Sequence, residues 1–124
     1  MEIYKPTDIN AIRERLLDGI RSYMLAGEAH GDYDRYTEAE IARCAAIVDA
    51  YLAKVEGPAK GNPAKIMAAV EEAILTLNAL SAEFESLIET DQREDLCELI
   101  ELAAHESGLH IEPGEDITEA WREW

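Results

Sequence analysis

Positive charge is what this sequence has least of. Eleven Lys and Arg stand against 27 Asp and Glu in 124 residues, a net charge of −16 with His neutral. A field of that sign repels nucleic acid and acidic membrane surfaces, and no basic patch is present to bind either. Long apolar runs are missing too. Nothing approaches the ~20 apolar residues of a membrane span, and residues 1–6 hold no stretch of the kind a secretory leader needs. Two cysteines, Cys44 and Cys97, are too few for a disulfide framework and fit a reducing compartment. A cytoplasmic location is the expectation. Strand-like alternation, internal repeats and low-complexity tracts are absent. No glycine-rich phosphate loop exists either, since Gly57 and Gly61 enclose Pro58, and Pro63 opens the next helix.

What remains is ordinary for a soluble domain: 48% hydrophobic and 31% charged residues, enough for a core and too apolar for disorder. The length predicts one helical domain over 1–124. Charge is uneven along it. From Ala82 onward there are 14 acids and two Arg, and before it 13 acids and nine bases.

Apolar residues recur with a helical period almost throughout. A first helix is predicted over 8–26, capped by Thr7 or Asp8, ended by Gly27, with Ile9, Ile12, Leu16, Ile20 and Tyr23 as its stripe. Gly19 weakens it by roughly 1 kcal/mol relative to Ala. Arg13, close to the stripe, is expected to snorkel or pair with a carboxylate. A polar loop over 27–36 follows, and Thr37 with Glu40 reads as a capping box. The second helix runs to about Val55 on Ile41, Ala45, Val48, Leu52 and Val55. Asn62 then Pro63 is a strong start signal for a third helix toward Ile88. At ~1.5 Å per residue that helix would approach 40 Å, so a bend or break is expected near 81–85. Thr90 or Asp91, with Glu94 as box partner, starts a fourth helix that ends at Gly108. Pro113-Gly114 makes a turn, and Asp116 or Thr118 caps a short last helix bearing Trp121 and Trp124. The expected fold is all-α: an antiparallel bundle of four amphipathic helices plus a short C-terminal helix.

The fourth helix carries the functional signal. At 100° per residue Leu96, Leu99, Ile100 and Ala103 share the side that faces the core. Asp91, Glu94, Glu98, Glu101 and His105 share the opposite side, with Leu102 among them. A leucine ringed by acids has the form of an anchor with a charged rim. Trp121 and Trp124 either dock the last helix on the bundle or insert into a partner. The leading reading is a non-enzymatic protein that binds a basic protein partner through Glu94, Glu98, Glu101, Leu102, His105, Trp121 and Trp124. An inhibitor or immunity-type partner of a basic protein, or an adaptor, is its concrete form.

Two other readings stand beside it. One is a small metal-dependent helical hydrolase of the nucleotide pyrophosphohydrolase kind, whose Glu-x-x-Glu pairs point into a cleft. Glu98 and Glu101 have that spacing but face away from the core, and Pro113-Gly114 interrupts Glu112 and Glu115. The other is a self-associating structural protein, a homodimer through the nearer-neutral first helices. His105-Glu106-Ser107-Gly108-Leu109-His110 is one residue longer than a His-Glu-x-x-His zinc string. The loop His30-Gly31-Asp32-Tyr33-Asp34 lacks the glycine and final acid of a helix-loop-helix calcium site. Both cysteines read as packing residues, and the acids beside Cys97 should raise its thiol pKa. No catalytic residue, metal ligand or cofactor is assigned.

Overall fold

A computed structural model describes residues 8–29, 31 and 36–124 of the chain. They form four helices: α1 (Ile9–Ala29), α2 (Glu38–Glu56), α3 (Pro63–Glu83) and α4 (Thr90–Glu106). No strand occurs among the described residues. The acids of the calcium-loop reading, Asp32 and Asp34, lie outside the described residues, as do His30, Tyr33 and Thr7.

Local hydrogen bonding explains where the helices start. The Asp8 carboxylate accepts from the Asn10 N–H at 2.7 Å. At α2 the Thr37 hydroxyl accepts from the Ala39 N–H at 3.2 Å, and Glu40 accepts from the Thr37 N–H at 2.8 Å. The Asn62 side chain accepts from the Lys65 N–H at 3.1 Å, with Pro63 in the first turn. At α4 the start moves one residue forward from the predicted Thr90 or Asp91. Glu89 is the cap residue, and its N–H donates to Gln92 Oε1 at 3.2 Å. Gln92 rather than Glu94 closes this end because its side chain is held in the core, 1% exposed, within reach of that N–H.

The helix ends differ more. Gly27 does not stop α1; it is a buried position inside the helix. Two residues past Ala29, Gly31 adopts φ 84°, the left-handed conformation a glycine stop needs, and its N–H donates to Glu28 O at 3.0 Å. The third helix breaks in the predicted window, ending at Glu83 with the Phe84 N–H on Leu80 O. Gly108 terminates α4 at φ 120°, and Leu109 folds back so that its N–H reaches Ala104 O at 3.0 Å.

One continuous core lies between the helices. Leu16, Ile20, Ile66, Leu77, Leu96 and Leu99 are all at most 1% exposed, each worth about 1.5–3 kcal/mol of burial. Two stripes are rotated from prediction. In α1 Met24 replaces Tyr23, and in α2 Cys44 and Tyr51 are buried while Ala45 and Leu52 are half-buried. Polar anchors account for the second shift. The Tyr51 hydroxyl donates to Ile100 O on α4 at 2.6 Å, so its ring must turn inward. Burial and the nearby Glu101 charge push that phenol pKa up. Tyr36 likewise donates to Ile20 O at 2.8 Å.

Ion pairs mark the seams. Arg13 grips Asp49 at 2.8 and 3.0 Å, and Arg21 grips Glu38 at 2.8 and 2.9 Å, joining α1 to α2. Arg43 with Glu83 and Lys54 with Glu72 join α2 to α3. Such exposed pairs contribute about 0–1 kcal/mol each, so they align the helices more than they hold them. The segment expected as a short last helix is one hydrogen-bonded turn over 117–121. Asp116 Oδ1 accepts from the Thr118 N–H at 2.9 Å, and the Arg122 N–H reaches Thr118 O at 3.0 Å. No helix among the described residues is long and apolar enough to cross a membrane.

Candidate partner-binding surface

Helix α4 sits in the core by Leu96, Leu99, Ile100, Ala103 and Ala104, all buried. That orientation matches the wheel, and it leaves Glu94 and His105 exposed and Glu98, Glu101 and Leu102 half-buried. Leu102 packs against the core rather than standing clear of it.

The acids of α4 divide between two neighbours. Toward α1, one guanidinium serves two carboxylates: Arg15 donates to Asp95 at 2.8 Å and to Glu98 at 2.7 Å. Both bonds, with Asp95 close to α1, hold Arg15's pKa up despite some burial. Arg15 and Asp95 also line a groove of about 390 Å³ between α1 and α4, with Tyr23, Asp91, Gln92 and Glu94 in its walls. The Tyr23 hydroxyl lies 3.5 Å from Asp91 Oδ2. Gly19 forms part of the lining, and a β-carbon there would stand 2.8 Å from Gln92 Nε2. The weak point of the helix is therefore where α4 approaches α1.

On its other side α4 meets the C-terminal segment. Burial raises the Glu101 pKa, opposed by the Ile117 N–H and reinforced by the Asp116 and Glu115 charges. Asp116 titrates below the usual carboxylate range. Its own burial works against this, but the Thr118 hydroxyl and N–H and the Arg122 guanidinium outweigh it. Arg122 also bonds Thr118 Oγ at 3.1 Å and Trp124 O at 2.9 Å, and lies 5.5 Å from the Trp124 ring centroid. Asn78 of α3 clasps the segment, donating to Trp121 O at 2.8 Å and accepting from the Glu123 N–H at 3.0 Å. Trp121 and Trp124 are half-buried against the core, and the Trp124 indole N–H is buried without a hydrogen-bond partner among the described residues. The backbone beside the two indoles bonds to α3 and to its own segment, and upstream of them the Ile117 N–H bonds Glu101 of α4.

Comparison of the chain with protein-family models, with curated proteins and with solved structures finds no match. The chemistry has to be read from the side chains alone.

Both thiols are free. Burial pushes Cys44 up to about 12, and it also raises Cys97, whose Sγ is 3.7 Å from Thr118 Oγ. Raised thiol pKa values suit packing and oppose nucleophilic use. Among the described residues no group of three or more His, Cys, Asp and Glu is placed to hold a metal ion. His105 is at the end of α4, whereas His110 pairs with Glu112 beyond it. Sequence reasoning reached the acids of α4 but missed Tyr23 and Arg15 as their neighbours.

Proposed function

We propose that the chain is a non-enzymatic binding protein whose α4 and C-terminal segment receive a basic protein partner. The partner-facing residues are Glu94, Glu98, Glu101, Leu102 and His105, with Trp121 and Trp124 at the margin. The observation that carries this reading is the buried aliphatic row of α4, which leaves Asp91, Glu94 and His105 on the surface beside a groove lined by Asp91, Glu94 and Asp95 together with Arg15. A lysine or arginine side chain entering that groove would meet Asp91 and Glu94 and compete with Arg15 for Asp95. The excess of 12 negative charges from Ala82 onward speeds encounter with a cationic surface and discourages anionic ones.

The proposal includes a single-domain antiparallel bundle in a cytoplasmic setting. The order of the seams supports the antiparallel part, since Arg13 meets Asp49 while Arg21 meets Glu38. The two free thiols support a reducing compartment.

The test is capture of basic proteins from the source cells on immobilised chain, compared with a Glu94→Gln/Glu98→Gln/Glu101→Gln chain. Capture should weaken steeply between about 0.05 and 0.5 M NaCl, as screening contracts to a few ångströms, and should fail in the triple variant. Capture indifferent to both changes would remove the electrostatic core of the proposal.

A further inference from the structure

The first turn of α4 holds a buried donor that has no acceptor. Gln92 is 1% exposed, yet only the oxygen of its amide is engaged. Oε1 accepts from the Glu89 N–H at 3.2 Å. A backbone N–H requires an oxygen opposite it, which fixes the orientation of the amide and turns the NH₂ group the other way. Among the described residues nothing accepts from Nε2. It lies beside Gly19 of α1, so close that a β-carbon there would stand 2.8 Å from it. Both residues line the groove between α1 and α4, and the bare α-carbon of Gly19 makes room for Nε2 in its wall.

The groups around this donor are of the opposite kind. Asp91 and Glu94 are exposed and meet no cation among the described residues, whereas Asp95 already holds Arg15. Tyr23, 38% exposed, sets an aromatic face beside Asp91. A ligand that satisfies the whole groove must therefore bring a cation and an acceptor together. The acceptor has to be uncharged, because a carboxylate or phosphate would be repelled by Asp91, Glu94 and Asp95. A metal ion or a simple amine would satisfy the carboxylates and leave the amide unpaired.

We propose that this groove takes one basic residue of a peptide segment, its side-chain cation resting on Asp91 and Glu94 and its main-chain carbonyl accepting from Gln92 Nε2. A lysine or arginine residue carries both groups, joined by an alkyl stem that lies along the Tyr23 ring. Burial makes the second bond selective, since a buried donor left unpaired disfavours every ligand that has no acceptor for it. The inference rests on the reading of α4 as the surface for a basic partner and goes beyond it. The partner is recognised through its backbone as well as through its charge.

Nuclear magnetic resonance titration of the full chain at about 0.05 M NaCl provides the test. The probes are acetyl-Ala-Lys-Ala-amide, acetyl-Ala-Leu-Ala-amide and butylammonium. The lysine peptide should shift the Gln92 side-chain amide resonances saturably, with a Kd on the order of 1 mM. The leucine peptide should not bind, and butylammonium should leave those resonances in place. Gln92→Glu keeps an oxygen for the Glu89 N–H and adds a negative charge. It should weaken the lysine peptide about fivefold while tightening butylammonium, a split that charge alone cannot produce. Gly19→Ala crowds the amide at constant charge and should weaken the peptide only. A Gln92 amide that the lysine peptide leaves unmoved, or a peptide that Gln92→Glu tightens, would overturn the inference. Capture of basic proteins at full strength by both variants would overturn it too, with the wider reading of α4 left standing. That reading fails separately, by capture indifferent to salt.

Discussion

A methyl group at Gly19 would stand 2.8 Å from the Gln92 amide, whose oxygen closes the start of α4. Helix propensity alone favours Gly19→Ala by about 1 kcal/mol; the displaced amide works against it. The expected outcome of urea denaturation is therefore no gain from Gly19→Ala in the native background. With Gln92→Ala present, the same substitution should stabilise by up to about 1 kcal/mol. Additive effects in that double-mutant cycle would show that the two residues do not constrain each other. At Glu101 the sign follows from a pKa raised by burial. An ionised Glu101 burdens the folded state at neutral pH, and the burden lifts as pH falls through the raised value toward the unfolded one. Glu101→Gln should accordingly raise Tm at pH 7, with the advantage vanishing by about pH 4. Asp116, held low, behaves in the opposite sense: its contribution is complete at neutral pH and disappears in acid.

Among the elements, the end of the C-terminal segment is clasped by one side chain of α3. Asn78→Ala removes both bonds of the clasp, to Trp121 O and from the Glu123 N–H. About 1 kcal/mol per lost bond is the ordinary scale, enough to free the segment while α1–α4 persist. Hydrogen exchange over 117–124 should accelerate, and tryptophan emission should shift red, with far-ultraviolet dichroism nearly constant. Unchanged exchange there would show that the buried Ile117 and Thr118 and the indoles hold the segment without the clasp. The contrast between this turn and the helix starts explains what the sequence could disclose. Thr37 with Glu40, and Asn62 with Pro63, work within three residues of themselves, so their pattern is sufficient. The burial of Tyr51 over Leu52 depends on a carbonyl 49 residues away. Gly27 looked like a stop because its neighbours in space cannot be read from its neighbours in sequence. The same division runs through the binding surface. The inward row of α4 was legible from periodicity. That Arg15 divides its charge between Asp95 and Glu98, and that Asp116 and Glu115 crowd Glu101, is long-range and was not.

For the molecule as a whole, charge opposes the fold that apolar burial builds. The exposed ion pairs are each small, whereas a net charge of −16 acts over every distance shorter than the screening length. Raising NaCl from about 0.01 to 1 M contracts that length from about 30 to about 3 Å. Tm, measured at low protein concentration, should therefore rise by several degrees; a fall would mean that the seam pairs outweigh the repulsion. The same core makes Cys44 an internal clock. Its sulfur is fully covered and its proton is held to about pH 12, so at pH 8 only on the order of one thiol in ten thousand is ionised. An alkylating reagent can reach it only when the bundle parts, and the rate at which iodoacetamide marks this one atom counts those partings.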